Sequence, residues 1–412
     1  MAVAWTNAAH LGAQDARAVF DEHSDAVVRV EVLEGSTSVP SSVGTAFFAA
    51  PSHLITNYHV VRSIIFRPER YSLQVTTSNG RPLEGARIVA LDPPNDLAVV
   101  RVGAAHPTPL RLSVDSVANG ERLYSLGHPA DLRTSVVEGV FNGTVEEAVA
   151  PLLHFSGSIN PGMSGGPTVR PDGSVVGVNV STAGDQLSFL VPALHARELV
   201  SHAAEVESVS EEELRAEATA RLRRFQDGFF GRLVTGSLPS TGVGEARVPT
   251  GRDAPFDCEA SPHDIEDDRY ELVEYRCFTE DQVLLGSDGS FPLVYMEHLY
   301  ISAPERSLFA FHSLVSQWFQ TVMSWEAPEN DETTDFRCRR RNVSEGLSVE
   351  LVAAFCIRRH LSHEGLYDVV LRSVTRGEDK SAIVSTFRAT PISFANALAV
   401  TGAWLRGFSW ES

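Results

Sequence analysis

Residues Asn160–Pro167 read NPGMSGGP, and they contain the pattern Gly-x-Ser-x-Gly with Ser164 at its centre. In α/β-hydrolases the serine of this pattern lies between a strand and a helix, and the histidine follows it in the chain. Here the stretch leads instead into Asp172-Gly173, a dipeptide that is typical of hairpin turns. We therefore expect Ser164 in a β context, with its partners upstream.

Two upstream motifs supply suitable partners. The sequence TNYHVV, beginning at Thr56, predicts the end of a strand and places His59 at a turn. The sequence DPPNDLAVV, beginning at Asp92, puts Asp96 at the start of an apolar strand, where it would be buried beside His59. The order His, Asp, Ser is that of the chymotrypsin type. Asp92 is the alternative acid, but Asp before Pro-Pro favours a turn, so Asp96 is preferred.

These residue types suit acyl transfer. The Ser164 hydroxyl is too weakly acidic to attack unaided, so His59 would take its proton and later deliver it to the leaving amine. Asp96 would select the histidine tautomer and stabilise the imidazolium. Gly162 permits a tight backbone, and the N–H groups of Gly162 and Ser164 would form an oxyanion hole, each donor contributing roughly 3 kcal/mol.

The surrounding sequence predicts an all-β region. Eleven short β-rich runs lie between residues 26 and 192, and Gly, Pro, Asn and Ser separate them. This spacing favours a barrel or sandwich, closed by a helix over 193–204. We expect His128 and His154 on loops or on the barrel surface.

The motifs HLITNYHVV, DPPNDLAVVRV, LYSLGHP and INPGMSGGP resemble the trypsin-like peptidases of the HtrA/Deg group. The resemblance covers about residues 20–200. It implies two six-stranded β-barrels, with His59, Asp96 and Ser164 catalytic in the cleft between them. Two features depart from the group's pattern. Met163 stands where the group usually has Asn, and no PDZ carboxylate-binding pattern follows residue 200.

The same resemblance indicates the substrate pocket. In trypsin-like folds the residue six positions before the nucleophile lies at the base of the S1 pocket, and here it is Ser158. An uncharged base argues against Lys or Arg preference and favours a small aliphatic P1 residue. We predict Ser158, Ile159 and Asn179 as substrate-binding residues.

The rest of the chain predicts a different domain. We divide the sequence into an N-terminal segment 1–25, a peptidase-like domain 26–204, a helix and linker 205–257, and an α+β domain 258–412. The helix would cover 210–234, with Ser210 and Glu213 as a capping box. Residues 235–257 are rich in Gly, Pro, Ser and Thr, which is typical of a linker or exposed loop.

The α+β domain carries a weak internal repeat. ELVEYRC, ending at Cys277, parallels ELVAAFC, ending at Cys356. Strands and then a helix follow each segment, over about 304–325 and 392–408. Two tryptophans accompany each helix, Trp318 and Trp325 in the first case and Trp404 and Trp410 in the second. A duplicated β-β-α unit, 258–326 and 338–411, would explain this pattern; chance similarity is the alternative.

All four cysteines lie after residue 250. Disulfides, buried free thiols and a metal site are the three interpretations, and the wide spacings do not match a tight zinc motif. If the cysteines are bridged, the repeat favours Cys258–Cys277 and Cys338–Cys356. Paired cysteines favour an oxidising compartment, the periplasm or the exterior, although the first ten residues do not form a signal peptide. A cytoplasmic location is the alternative.

Composition limits the classes of function. The 412 residues are 43% hydrophobic and 21% charged, which excludes a mainly disordered chain. The net charge of −19 argues against nucleic-acid binding, and no apolar run is long enough for a membrane span. Residues 1–200 hold 13 basic and 19 acidic residues, whereas 201–412 hold 21 and 34. The second half therefore carries most of the acidic excess, and the sequence does not identify its partner.

Together these observations predict a serine endopeptidase that acts on protein or peptide substrates without a metal or other cofactor. Its C-terminal domain would regulate it or bind substrate. Two alternatives remain: a catalytically latent binding or chaperone-like protein on a peptidase scaffold, and a peptidase gated by a ligand of the C-terminal domain.

Overall fold

The structure is a computed structural model. It describes residues 11–35, 39–130, 132–145, 149–182, 186–206, 208–235, 238–251, 255–265, 270–279, 282–285, 291–321, 332–377 and 380–410. The chain forms two compact units, and the division falls between Ala218 and Thr219. This position lies inside a helix, downstream of the boundary at 204 that the sequence suggests.

The first unit is mostly β, as the sequence predicts. Six strands form one sheet: β1 Val27–Glu34, β2 Pro40–Ala50, β3 His53–Thr56, β4 Tyr71–Thr77, β5 Arg87–Asp92 and β6 Leu97–Arg101. Six more form a closed barrel: β7 Arg122–Gly127, β8 Ser135–Val145, β9 Leu152–Phe155, β10 Pro167–Val169, β11 Val175–Thr182 and β12 Ser188–Pro192. The helices are α1 Leu11–His23, α2 Tyr58–Phe66 and α3 Ala193–Ala204, and α4 Glu211–Leu233 extends across the division into the second unit.

Only one of the two predicted barrels is closed. The first sheet has the order β4-β1-β2-β3-β6-β5, with no ladder between β4 and β5 in the described residues. The chain after β4 folds back in a single isolated bridge between Thr76 and Pro82. Thr77 N–H donates to the Arg81 carbonyl at 2.9 Å and Leu83 N–H donates to the Val75 carbonyl at 2.8 Å on either side of this bridge, and no ladder continues from it to β5 in the described residues.

Local boundaries also differ from the sequence-based expectation. The predicted strand over 53–61 ends at Thr56, and α2 follows, because Tyr58, Val61 and Ile65 recur at helical spacing and are buried. Strand β10 was not predicted. Helix α3 matches its prediction, and Ser210 with Glu213 forms the capping box before α4 through N–H···O contacts of 2.8 and 3.2 Å.

The barrel and the first sheet share one apolar core. Phe47, Ile55 and Val99 of the sheet cluster with Val178 and Val191 of the barrel. The apolar side of α3 closes this cluster with Ala196 and Leu199. Packing in this shared core holds β2 and β3 of the first sheet close to the barrel, which carries the loop before β10.

The second unit contains a seven-stranded antiparallel sheet. Its elements are β15 Phe256–Ile265, β16 Tyr270–Thr279, β17 Gln282–Val283, β18 Phe291–Pro292, β19 Val294–Ser302, α5 Leu308–Thr321, β20 Arg337–Val343, β21 Leu351–Arg359, β22 Tyr367–Arg376, β23 Ser381–Ile392 and α6 Phe394–Arg406. The strand order in the sheet is β15-β16-β19-β23-β22-β21-β20. A smaller sheet joins β13 Ser240–Val243, β14 Ala246–Pro249 and β24 Ser409–Trp410.

The predicted linker is partly a hairpin. Strands β13 and β14 lie inside 235–257, and Val243, Ala246 and Val248 are buried in the main core of the second unit. Glycine, proline, serine and threonine make up about half of this stretch, so the sequence shows little of the alternation of its few apolar residues. Of the tryptophans, Trp404 is buried on α6, Trp410 lies on β24 rather than on a helix, and Trp325 lies outside the described residues.

The cysteines pair as the repeat suggests. Cys258 bonds to Cys277 across β15 and β16, and Cys338 bonds to Cys356 across β20 and β21. These two hairpins occupy opposite edges of the seven-stranded sheet. The free-thiol and metal interpretations are therefore wrong for these four residues.

Candidate active site

The loop that carries Ser164 begins with a tight turn. Met163 N–H donates to the Asn160 carbonyl at 3.0 Å, with Pro161 and Gly162 as the central residues. Gly162 has φ +94°, the left-handed region that this turn type requires. A Cβ on Gly162 would lie 2.4 Å from the His128 carbonyl oxygen, so a larger residue does not fit without movement.

The same loop presents two unpaired amides. The Pro161 carbonyl accepts a hydrogen bond from Ala130 N–H at 2.9 Å, so the N–H of Gly162, on the opposite side of that trans peptide, points the other way. Within the part of the chain that the structure describes, neither the Gly162 N–H nor the Ser164 N–H donates a hydrogen bond. Both groups are available to an incoming anionic oxygen.

His59 lies in the first turn of α2, where Asp96 holds it at two points. Asp96 Oδ1 accepts from the His59 backbone N–H at 2.8 Å, and Asp96 Oδ2 lies 2.6 Å from His59 Nδ1. Because a carboxylate accepts at Nδ1, the imidazole carries its proton there and keeps Nε2 as an acceptor. Asp92 instead accepts from Asn95 Nδ2 at 2.9 Å, so the structure brings Asp96, the preferred acid, to His59.

Asp96 reaches this position through an unusual backbone. It has φ +50° directly after a short 3-10 turn over Pro93–Asn95. Its carbonyl accepts from Asn57 Nδ2 at 2.9 Å and from Tyr58 N–H at 3.1 Å. The carboxylate and the carbonyl of one residue thus both bind the start of α2, which sets the orientation of the histidine.

Ser164 lies next to these elements. Its carbonyl accepts from Thr45 N–H at 2.8 Å, and the Thr45 carbonyl accepts from Thr56 Oγ1, at the end of β3, at 2.7 Å. The Ser164 hydroxyl donates to the Val180 carbonyl on β11 at 3.5 Å. The Ser164 backbone is therefore connected through Thr45 to Thr56, three residues before His59 in the chain.

Thr45 is a residue that the sequence does not single out. Its hydroxyl donates to the Gly162 carbonyl at 2.7 Å and accepts from His128 N–H at 2.9 Å. Together with the bond from the Thr45 N–H to the Ser164 carbonyl, these bonds connect β2 to the serine loop at Gly162 and at Ser164. A threonine inside an apolar strand carries no pattern that would identify this role in advance.

Asn179 supports the loop from beneath, which corrects its predicted role. It is fully buried, and its amide nitrogen donates to the Met163 carbonyl at 3.1 Å. Its amide oxygen accepts from Thr168 Oγ1 at 2.7 Å and from Ser125 Oγ at 3.0 Å. A side chain without exposed surface does not contact substrate, so Asn179 is a positioning residue.

Ile159 is also buried, which is a second correction. Its side chain is 5% exposed and belongs to an apolar cluster with Phe155, Leu190 and Met163. The side chain of Met163, the residue that departs from the resembled pattern, is fully buried there and anchors the loop by packing. Ser158, by contrast, is exposed, as a substrate-contacting residue requires.

His128 lies on the loop after β7, one of the two expected positions, but it is buried rather than at the surface. It is 3% exposed, and its Nε2 lies 3.0 Å from Thr134 Oγ1. Burial, with a smaller contribution from the charge of Arg29, lowers the pKa of His128 to about 4. His154 is half-buried on β9 and tilts against Phe189.

The described residues contain no cluster of three or more His, Cys, Asp or Glu side chains that is placed to hold a metal ion. Nor does any helix among them have the length and apolar character that crossing a bilayer requires.

Known proteins resemble this region. Residues 44–178 match the family model of a trypsin-like peptidase domain. Serine protease HTRA2, mitochondrial, of Bos taurus is 31% identical over 198 residues, 44% of this chain and 42% of that protein. The "Probable periplasmic serine endoprotease DegP-like" of Chlamydia pneumoniae is 31% identical over 169 residues, 38% and 33% of the two chains.

These similarities cover only part of each chain. The chain spans about two-fifths or less of the length of these curated relatives. A crystal structure of the serine endoprotease from Yersinia pestis is similar at 23% identity and a TM-score of 0.40, over 46% of this chain and 66% of that one.

Proposed function

We propose that the protein is a serine endopeptidase that cleaves peptide bonds through an acyl-enzyme on Ser164. The 2.6 Å contact between Asp96 Oδ2 and His59 Nδ1 is the observation that carries this proposal, and the link from Ser164 through Thr45 to Thr56, three residues before His59, supports it. It orients a histidine so that its free Nε2 can act as a general base.

The reaction would use four groups of this chain. His59 Nε2 takes the proton from Ser164 Oγ as that oxygen attacks the scissile carbonyl, which requires the hydroxyl to leave the Val180 carbonyl. The N–H groups of Gly162 and Ser164 then stabilise the oxyanion. His59 returns the proton to the leaving amine, and water attacks the acyl-enzyme by the same route.

The edge of β11 supports an extended substrate. Strand β10 pairs with β11 only as far as Val178, whereas β11 continues to Thr182. Asn179 still bonds through its backbone to Gly165 and Gly166, so the backbone of Val180–Thr182 is the part of β11 that extends beyond that loop, beside Ser164. With Ser158 as an uncharged residue near the pocket, a small uncharged P1 side chain fits better than Lys or Arg.

The second unit would bind substrate or regulate the peptidase activity. Its two disulfide-linked hairpins agree with a duplicated β-β-α unit. The disulfides favour an oxidising compartment, periplasmic or extracellular. That one relative is named as periplasmic adds support for this location.

Labelling with a fluorophosphonate probe tests the activity. We expect wild type to be labelled, Ser164→Ala to lose all labelling, and Asp96→Asn to lose about 10⁴-fold in rate because the histidine tautomer is wrong. Ser174→Ala is the matched control, since Ser174 is a buried serine that contacts Asp172 rather than the histidine. Folded wild type that resists labelling would favour the latent binding protein instead.

A further inference from the structure

The two edges of the seven-stranded sheet differ in what they offer to another chain. Strand β20 forms one edge and β15 the other, and each pairs with only one neighbour. A strand with a single neighbour presents backbone N–H and C=O groups that a further strand can bind. Whether it does depends on which groups point outward and on the side chains beside them.

The disulfides define which groups point outward. The Cα atoms of Cys338 and Cys356 are 4.0 Å apart, and those of Cys258 and Cys277 are 4.1 Å apart. This short spacing belongs to the non-hydrogen-bonded pairs of an antiparallel ladder, whose N–H and C=O groups face away from the partner strand. On β20 the outward residues are therefore Cys338 and, two and four positions on, Arg340 and Asn342.

The same rule shows that the β15 edge is blocked. Its outward residues are Cys258, Ala260 and Pro262. Proline has no N–H, so β15 lacks a donor at one of these positions. Strand β20 contains no proline, and no backbone hydrogen bond joins its outward N–H groups to any described residue.

The side chains of β20 are strongly basic within an acidic half of the chain. Arg337–Val343 reads RCRRRNV, with four arginines and no acidic residue, and its first six residues are exposed. Arg337, Arg339 and Arg341 form no ion pair or hydrogen bond in the described part of the structure. These three project to one face of the sheet, because alternate residues of a strand share a face.

We propose that the free edge of β20 binds an extended acidic polypeptide segment by strand addition. Backbone groups of Cys338, Arg340 and Asn342 would pair with the added strand. Arg337, Arg339 and Arg341 would select acidic side chains at alternate positions of the bound segment. The segment matches the strand in length, about seven residues, and the Cys338–Cys356 bridge holds the edge in place.

The experiment uses the full chain with Ser164→Ala, so that binding is measured without cleavage and independently of the proposed activity. The probes are three fluorescein-labelled ten-residue peptides: alternating Glu and Val, alternating Lys and Val, and alternating Glu and Pro. The third has the charge of the first, but in the register that places Glu beside the three arginines its prolines have no N–H to donate to β20. Fluorescence anisotropy gives the affinities at low and high salt.

We expect the Glu/Val peptide to bind, more weakly as salt increases, and the other two peptides to bind at least about tenfold more weakly. Replacing Arg337, Arg339 and Arg341 together with Gln should weaken binding about tenfold. The control replaces Arg224, Arg232 and Arg406 with Gln, removing the same charge from exposed helical positions of the second unit, and should change affinity less than about twofold.

A second pair of variants separates backbone pairing from charge. Asn342→Pro removes one outward N–H without removing a bond to β21, and should weaken binding about fivefold. Asn342→Ala should leave the affinity unchanged. Equal binding of the Glu/Val and Glu/Pro peptides, or no loss in the triple Gln variant, would overturn the proposal. The arginines would then serve only to keep the edge solvated and unpaired. If Asn342→Pro does not fold, the triple variant and the peptides still decide.

Discussion

The two units hold their polar groups in place by different means. Around Ser164 the described contacts are neutral hydrogen bonds, from Thr45 and Asn179, and glycines that leave room for close backbone approach. In the second unit a disulfide links each edge strand of the sheet to its neighbouring strand. A buried cluster of ionised side chains lies between β21 and β22. The loop that carries the proposed oxyanion amides is thus ordered by neutral groups, which do not compete with an oxyanion for those amides. The sheet of the second unit, by contrast, contains buried charges.

The buried cluster centres on Asp368. Its carboxylate accepts from Arg358 Nε and contacts His360 Nε2, both at 2.6 Å, and it also accepts from Thr390 Oγ1. Burial raises the pKa of Asp368, but the charge and hydrogen bond of His360 and the charge of Arg358 outweigh it and lower the pKa to about 2.

The largest effect we expect is on the stability of the second unit. Asp368→Asn should lower its free energy of unfolding by about 3–5 kcal/mol, because Arg358 would keep a buried charge without its counter-ion. In wild type the ionised carboxylate stabilises the fold above the ordinary pKa of 3.8, and this contribution is lost as the pH falls toward 2. Denaturant unfolding between pH 7 and pH 2 measures both effects. Asp257→Asn, at an exposed position, should match wild type, and an equal loss there would contradict the assignment.

The next effect concerns catalysis and leaves the second unit unchanged. Gly162→Ala should lower kcat about 100-fold, roughly 3 kcal/mol, because the new Cβ would displace an oxyanion donor from its position against His128. Gly80→Ala is the control: Gly80 also has positive φ, at +82°, but has open space around it. Steady-state hydrolysis of a peptide substrate measures the loss. A similar loss of kcat in Gly80→Ala would show that general backbone strain, rather than the oxyanion loop, is responsible.

The contrast between the units also explains what the sequence could predict. His59, Asp96 and Ser164 were located in advance because each lies in a local motif, and the structure brings the three motifs together. Whether they catalyse stays a prediction until activity is measured. The buried roles of Ile159 and Asn179 were missed, since spacing along the chain does not show which way a side chain faces once strands pair.

Other features depend on contacts between distant segments. The first sheet stays open because the described strands β4 and β5 do not pair with each other. The local sequence of either strand does not indicate this. The hairpin of β13 and β14 was predicted as a linker because turn residues outnumber its buried Val243 and Val248. The cysteine pairs were predicted correctly because the two halves of the second unit carry similar segments that could be compared with each other.

The smallest effect tests whether neutral hydrogen bonds alone order the serine loop. Thr45→Val keeps the shape of the side chain but removes the donor to the Gly162 carbonyl and the acceptor for His128 N–H. Each such bond contributes about 0.5–1.5 kcal/mol, so kcat should fall about tenfold while KM changes little. Thr45→Ser retains the hydroxyl and should recover most of the activity. Thr401→Val, which removes a buried hydroxyl from α6, should leave kcat unchanged. If Thr45→Val keeps full activity, packing of Met163 and the support from Asn179 suffice to order the loop, and Thr45 is not a positioning residue.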